Sequence, residues 1–175
     1  NNSGLIRANT LVDRGGEIWL AGDKVATSGR LQADATGGAG GNGGDGGRIM
    51  VMGDMRRGEV RVDGVISAQA GGTGQGGQVE TSAARIDIAP TARVTTLADS
   101  GRHGTWLIDP ASITVDFTVD PGNAALSGNG IGASTLATGL AGGNVTLATD
   151  GGGDPNAVPG NGDITLNAPV SWAAN

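Results

Sequence analysis

Apolar and polar residues alternate along short segments of this chain, and the segments recur. Residues 15–23 match residues 46–54 almost column for column, 31 positions later. A weaker copy begins at Gly76, and residues 104–109 form a fourth candidate copy, 28 positions after the third. A period of two over five or six residues, bounded by Gly, Asp and Asn, is the signal of a β-strand. Because an internal repeat decides the architecture of a whole chain, this spacing governs the prediction of the fold.

Each copy also contains a second alternating segment, so two columns of inward-facing residues are expected. They are Ile18, Ile49 and Val79 in the first segment, and Leu31, Ile66 and Val94 in the second. A repeat near 30 residues with two or three short strands is typical of one coil of a parallel β-helix. We therefore predict an all-β fold, a parallel β-helix (solenoid) of roughly six coils.

The pattern predicts no domain boundary. Residues 1–115 are expected to form regular Gly-rich coils, and residues 116–175 to continue the β-helix with longer loops. The Gly-rich stretches 35–47 and 70–77 are predicted to be exposed turns that need a positive φ repeatedly.

The pattern of residues changes in the second part of the chain. Residues 134–140 predict one or two helical turns, and residues 144–149 and 163–168 predict strands. The intervening segment 150–162 contains Gly and Pro residues that exclude it from a central strand.

Composition removes several classes of function. The chain has 35 Gly and 6 Pro among 175 residues, close to the range typical of low-complexity, disordered chains. The periodicity is therefore the evidence that this chain folds. The absence of Cys excludes disulfides, thiolate metal sites and a Cys nucleophile, and His103 is the single His. A net charge of −6 disfavours nucleic acid and anionic lipid as partners. No apolar run approaches the roughly 20 residues of a membrane span. The chain opens at Asn1 without a Met or a signal-peptide pattern, which predicts a fragment of a longer protein.

Three ordered segments resemble a known family. They are GTWLIDPASITV at 104–115, STLATGLAGGNVTLATD at 134–150 and GNGDITLNAPVSWAAN at 160–175. They are similar to the body of filamentous-haemagglutinin-like exoproteins, the secreted partners of two-partner secretion systems. The resemblance implies a right-handed parallel β-helix rod, exported across the outer membrane of a Gram-negative bacterium by a dedicated barrel transporter. It also implies display at the cell surface or release as an adhesin. The family's amino-terminal secretion domain is not visible here, so no residue is assigned to the transporter.

The resemblance favours a structural segment of an adhesin that mediates adhesion or biofilm cohesion through an unidentified host-cell or matrix receptor, either a glycan or a protein. A haem- or haemopexin-binding exoprotein and a contact-dependent toxin-delivery stalk stay open as alternatives, because similar rods serve each role. Neither a cofactor nor a metal site is predicted. Since the ends of such a segment expose unpaired strand edges, end-to-end self-association is also expected.

A carbohydrate-active β-helix enzyme, such as a polysaccharide lyase or hydrolase, is the alternative from another class. Such enzymes need converging carboxylates, and these carboxylates converge only if their coils stack in a suitable register. The candidates are Asp87, Asp109 and Asp116. The Arg-His-Gly segment at 102–104 resembles the His-Gly of polygalacturonases, but the Asp-Asp pair of that family is absent. Asp109 is instead expected to cap a turn before Pro110, and His103 to be a solvated loop residue, so no catalytic residue is predicted.

Two clusters of charged or Gly-rich residues are further candidates. Residues 40–45 resemble one copy of a Ca²⁺-binding nonapeptide, but that site needs tandem copies, so Asp45 is interpreted as part of a Gly-rich turn. The only basic cluster contains Arg56, Arg57 and Arg61, interspersed with Asp54, Glu59 and Asp63. Charges mixed in this way are typical of a solvated, self-paired edge.

The aromatic residues are nearly all tryptophans. Trp19, Trp106 and Trp172 could form a sugar-stacking or partner-binding set, and Phe117 is the fourth aromatic residue. If Ile18 and Leu107 point inward, a period of two places Trp19 and Trp106 on the outer face. A bulge or a covering loop would bury them instead, and burial is the favoured interpretation for tryptophan.

Overall fold

Parallel β-strands make up most of the fold. In this computed structural model the described residues are 1–9, 16–35, 43–111, 113–116 (backbone only), 130–149 and 163–173. They form fifteen strands and one α-helix. The strands are β1 (Leu5–Arg7), β2 (Glu17–Ala21), β3 (Lys24–Thr27), β4 (Arg30–Gln32), β5 (Arg48–Met52), β6 (Glu59–Val62), β7 (Val65–Ser67), β8 (Gln78–Ala83), β9 (Arg85–Ile88), β10 (Arg93–Thr95), β11 (Thr105–Pro110), β12 (Ile113–Asp116), β13 (Gly130–Gly132), β14 (Asn144–Leu147) and β15 (Ile164–Leu166), and the helix is α1 (Ala133–Ala141).

The strands belong to three sheets. Sheet 1 has the order β14-β11-β8-β5-β2, sheet 2 the order β15-β12-β13-β9-β6-β3, and sheet 3 the order β1-β4-β7-β10. From β2 to β10 the chain visits sheets 1, 2 and 3 in turn, three times over. Each strand pairs in parallel with the strand one repeat later. The predicted all-β class is therefore confirmed as a mostly β fold with parallel sheets.

The strand register confirms the two predicted columns and adds a third. The predicted columns are Ile18, Ile49 and Val79 in sheet 1, and Leu31, Ile66 and Val94 in sheet 3, and all six side chains are buried. In sheet 2, Val25, Val60 and Ile86 form a further buried column that the sequence alignment did not identify. The repeat therefore contains three strands.

The fourth copy of the repeat corrects the predicted alignment by one residue. Trp106 pairs with Val79, an offset of 27 positions and not the expected 28. Because side chains alternate along a strand, a shift of one residue exchanges the inner and outer faces. Trp106 is therefore buried, and Leu107, expected to point inward, is half-buried on the other face.

One hydrophobic core collects side chains from all three sheets. Its largest fully buried members are Leu31, Ile49, Ile66, Ile86, Ile88, Ile108, Ile131, Val51, Val60, Val62 and Val79. Burial of each such side chain contributes about 1.5–3 kcal/mol. Since every column uses the same position of successive repeats, the core continues along the stack of strands.

The repeat changes after β11. β13 pairs with β9 and β12 pairs with β13, so β12 lies one strand further along sheet 2 although it comes first in sequence. α1 confirms the helical turns predicted at 134–140 and packs against β10, the last strand of sheet 3. The Trp106 ring packs against this helix, because a Cβ added to Gly139 would lie 3.0 Å from the ring. The indole Nε1–H donates to Thr81 Oγ1 at 3.2 Å.

The remaining strand predictions are confirmed with shorter bounds, as β14 and β15. No helix among the described residues combines the length and the apolar character that crossing a membrane requires.

The glycines of the turn at 70–77 have a different role from the one expected. Gly72, with φ of 52°, is the one glycine of this turn with a positive φ. Gly74 is constrained by contact, because a Cβ there would overlap the carbonyl oxygen of Gly44 in the preceding repeat. The N–H of Gly71 donates to that same oxygen at 3.1 Å. Close approach of two backbones therefore selects glycine here. Residues 36–42 of the other predicted turn lie outside the described residues.

Truncation within the sheet 3 column tests the core. Ile66 is fully buried between Leu31 and Val94, so Ile66→Ala is expected to lower the free energy of unfolding by about 2–5 kcal/mol. Val65→Ala, on the outer side of the same strand, should cost less than about 1 kcal/mol. Urea unfolding followed by circular dichroism measures both, and equal losses would contradict the assigned faces of β7.

Candidate functional site

The three carboxylates considered as a catalytic set belong to different environments. Asp87 lies on the outer side of β9 in sheet 2 and forms an ion pair with Arg61. Asp109 is fully buried in β11 of sheet 1, and Asp116 ends β12 in sheet 2. The fold therefore places Asp87 and Asp109 in different sheets and does not join them as an acid–base pair.

The prediction of a turn before Pro110 is wrong. Asp109 and Pro110 both extend β11, where they pair with Ser82 and Ala83 of β8. The pairing with β14, on the other side, ends at Ile108. Pro110 thus lies where β11 has a neighbouring strand on one side alone, a position that tolerates a residue without an N–H.

The basic cluster is a self-paired edge, as predicted. Its arginines are Arg56, Arg57 and Arg61. Arg57 Nη2 is 3.7 Å from Asp23 Oδ2, and Arg61 contacts both Asp63, at 3.4 Å, and Asp87. Exposed pairs of this kind contribute about 0–1 kcal/mol each. Acidic side chains pair with Arg57 and Arg61, so the cluster does not present three unpaired positive charges to an anion.

The three tryptophans have different environments. Trp106 is 2% exposed in the core, as favoured from the sequence, whereas Trp19 is 61% exposed and Trp172 is 50% exposed. The favoured burial is therefore wrong for Trp19, whereas the sequence left the exposure of Trp172 open. Trp19 faces outward because it alternates with the buried Ile18 along β2. Phe117 lies outside the described residues.

A polar groove runs along the stack beside the amino ends of the sheet 1 strands. Two adjoining cavities form it, with volumes of about 460 Å³ and about 600 Å³, and residues 75–78 line both. We call it the corner groove, and it has a strand wall, a loop wall and a glycine floor. It gathers polar side chains from successive repeats around a cavity.

The strand wall consists of the first residues of the five sheet 1 strands. They are Glu17, Arg48, Gln78, Thr105 and Asn144, which are neighbours in the strand register. At the strand spacing of about 4.8 Å, five strands give a wall about 19 Å long. The side chains include carboxylate, guanidinium, amide and hydroxyl groups.

The loop wall is fixed by hydrogen bonds from each repeat to the next. Asp45 Oδ1 accepts the N–H of Gln75 at 2.7 Å, and Gln75 Oε1 accepts the N–H of Arg102 at 3.0 Å. Each of these residues comes three positions before the sheet 1 strand of its repeat. Asn144 Nδ2 continues the series by donating to the carbonyl oxygen of His103 at 3.0 Å. The wall is thereby held in register with the strands.

Asp45 therefore acts as a structural acceptor in this wall. The described residues contain no group of three or more side chains suited to hold a metal ion. Residues 40–42 of the segment that resembles a Ca²⁺-binding nonapeptide are outside the described ranges. The geometry of Asp45 agrees with a Gly-rich turn that contains one Asp.

Glycines form the floor because the backbones of successive repeats approach closely. A Cβ on Gly77 would overlap the carbonyl oxygen of Gly47, and a Cβ on Gly104 would overlap that of Gly77. The floor N–H groups are already engaged: Gly77 donates to the carbonyl of Ala68 and Gly104 to that of Thr96, each at 2.8 Å. The glycine floor carries no side chains, and these N–H groups are already hydrogen-bonded within the protein.

Charges of both signs line the groove. Glu17 and Asp45 are acidic, whereas Arg48 and Arg102 are basic. His103 is a half-buried loop residue, where full solvation was expected, and its Nδ1 accepts a backbone N–H at 3.1 Å. The four formal charges therefore balance.

From the sequence, Asp45 and His103 are separate candidates that do not predict the groove. The sequence does contain a signal for the groove. Polar residues at positions 45, 75 and 102 each lie three residues before a strand of sheet 1, with Gly in the interval between. Aligning the polar positions as well as the apolar ones would have found the loop wall.

In comparisons with protein-family models, with curated proteins and with solved structures, nothing matches this chain.

Adding one methyl group to the groove floor tests the close approach of the backbones. Gly104→Ala is expected to lower the free energy of unfolding by about 1–3 kcal/mol, because its Cβ would overlap the carbonyl oxygen of Gly77. Gly4→Ala is the matched control, since nothing lies within 4 Å of a Cβ there, and it should change stability by less than about 0.5 kcal/mol. Thermal unfolding compares the two, and a neutral Gly104→Ala would refute the constraint.

The pH dependence of stability tests the turn at Asp54. Its Oδ1 accepts the backbone N–H groups of Arg56 and Arg57 at 2.9 and 3.0 Å. These bonds, followed by the nearby guanidinium charges, lower the pKa of Asp54. The ionised form therefore stabilises the fold above the unfolded pKa of about 3.9, and this contribution is lost as the pH falls through the lower folded pKa. We expect Asp54→Asn to be less stable than wild type near neutral pH, with a difference that shrinks in acid. A constant or growing difference in unfolding curves at decreasing pH would contradict this.

Proposed function

We propose that this chain is a structural segment of a secreted or cell-surface adhesin rod, a right-handed parallel β-helix of the filamentous-haemagglutinin-like type. The observation that carries the proposal is the in-register repeat, in which β2–β4, β5–β7 and β8–β10 stack in parallel around a continuing core. Such a stack lengthens by adding repeats, each contacting its neighbours. The function of the segment is then mechanical, because it holds binding surfaces at a distance from the cell.

The resemblance of residues 104–115, 134–150 and 160–175 to these exoproteins supports the same proposal. It includes export by an outer-membrane transporter of a Gram-negative bacterium, and a role in adhesion or biofilm cohesion. A chain without Cys suits passage across membranes in an unfolded state. Local repeats then allow folding to begin in one place and to propagate.

A polysaccharide lyase or hydrolase fits the described side chains less well. Such an enzyme needs two carboxylates within reach of one glycosidic bond. Asp87 is instead engaged by Arg61, and Asp109 is buried in a different sheet. The proposal is accordingly a non-enzymatic one.

Localisation in the cells that produce the protein tests the proposal. Antibodies against this chain should detect it in the medium and on intact cells, and protease added outside the cells should remove the cell-bound signal. An in-frame deletion of residues 16–110 should reduce surface attachment and biofilm mass. A cytoplasmic marker enzyme controls for lysis. Detection of the chain inside the cells alone, protected with that marker, would refute the adhesin-rod function.

A further inference from the structure

We propose that the corner groove, together with Trp19 beside it, binds an extended polysaccharide without net charge. This inference rests on the proposed adhesive role and names the class of ligand that the rod would hold. Four observations carry it: the direction of the groove, the state of its backbone, its charge balance and the exposed indole.

The direction of the groove suits a polymer. Its strand wall takes one residue from each of five successive strands, from Glu17 to Asn144, so the groove crosses the strands and follows the stack. Five strands at about 4.8 Å per strand give the groove a length of about 19 Å, so it extends over several repeats. A small ligand would contact one or two repeats, whereas an extended chain contacts a new residue at every strand.

The backbone of the groove is unsuited to a peptide strand. Peptides added to a sheet use main-chain hydrogen bonds at an open edge. Here the N–H groups of Arg48, Gln78 and Thr105 already donate to carbonyl groups of the preceding repeat, at 3.0, 2.9 and 3.1 Å. Recognition therefore falls to side chains, and a ligand rich in hydroxyl groups can donate to and accept from such side chains.

The side chains of the two walls offer both donors and acceptors. Asp45 and Gln75 use one oxygen each in the loop wall, Oδ1 and Oε1, so the carboxylate and the amide keep a second polar atom. In the described part of the chain, no hydrogen bond occupies the side-chain amide of Gln78. Carboxylate and amide groups that converge on a cleft can hold vicinal hydroxyls in a fixed orientation.

The charge balance favours a neutral ligand. Arg48 lies 3.8 Å from Glu80 in an ion pair, and the acidic Glu17 and Asp45 line the same cavity. The whole chain carries a net charge of −6, so a polyanion would meet net electrostatic repulsion. The other cavity is lined by one formally charged side chain, Arg102, which is too little positive charge to select a sulfated or uronate polymer.

Trp19 supplies an apolar face at one end of the groove. It is 61% exposed, and its Nε1–H donates to Glu17 Oε1 at 2.9 Å. This bond restrains the indole beside a residue of the strand wall. A large exposed aromatic face next to hydrogen-bonding groups is the combination that binds a ring with one apolar side and polar edges.

Electrophoresis of the full 175-residue chain in native gels that contain a polysaccharide tests the proposal. The neutral probes are β-1,3-glucan, cellulose ether, galactomannan, arabinoxylan and galactan, and the anionic probes are heparin and alginate. We expect retardation by at least one neutral probe and no comparable retardation by the anionic ones. Trp19→Ala and Gln78→Ala should each weaken the retarding interaction at least about tenfold. Trp172→Ala is the matched control, because Trp172 is a similarly exposed indole outside the groove, and it should bind like wild type.

Three results would overturn the proposal: no retardation by any neutral probe, retardation by anionic probes alone, or an equal loss in Trp19→Ala and Trp172→Ala. Both groove substitutions lie on exposed side chains, and unchanged unfolding curves establish that the variants are folded. The outcome is independent of the localisation test. A chain on the cell surface that no neutral probe retards would refute the groove alone, and a retarded chain confined to the cell interior would refute the adhesin rod alone.

Discussion

Backbone hydrogen bonding between successive repeats is the interaction on which the rest of this structure depends. A parallel ladder holds neighbouring strands about 4.8 Å apart, so each position of a repeat must stack on the same position of the next. Buried columns such as Leu31, Ile66 and Val94 follow from this, because an apolar residue placed inward in one repeat needs an apolar neighbour in the next. The same spacing leaves no room for a Cβ where two loop backbones meet, as at Gly104.

Polar side chains obey the same constraint outside the core. On the outer side of sheet 3, Asp34 Oδ1 accepts from Ser67 Oγ at 2.6 Å and from the Gln69 N–H at 2.8 Å, both in the next repeat. The bonds from Gln75 to Asp45 and from Arg102 to Gln75 have the same form. The loop wall of the groove is thus one of several ladders that the stacking produces, and its order comes from the fold itself.

The sequence could predict the parts of the fold that repeat with strong apolar alternation. The columns of sheets 1 and 3 are confirmed for that reason. The helical turns at 134–140 are confirmed as well, although they belong to no repeat. Sheet 2 was missed because its strands have four residues with charged members, as in Glu59–Val62 and Arg85–Ile88. The sequence places Trp106 in the wrong register because the connection before β11 is shorter than in the earlier repeats. Short, Gly-rich segments align almost equally well when they are shifted by one residue, so the sequence does not reveal this change. The exchanged order of β12 and β13 is a long-range pairing that no local pattern encodes.

The groove escaped prediction for a related reason, and the reason bears on function. The inward positions next to the strand starts of sheet 1 stay apolar, with Ile18, Ile49, Val79 and Trp106 all buried, since stacking selects apolar neighbours there. The neighbouring outward positions carry Glu17, Arg48, Gln78, Thr105 and Asn144, five different side chains on equivalent backbone. Stacking does not require this variety, because the backbone alone closes the ladder. The side chains of this fold are therefore free to vary in the outward rows, and the row of sheet 1 does so beside a glycine floor whose N–H groups are already hydrogen-bonded within the protein.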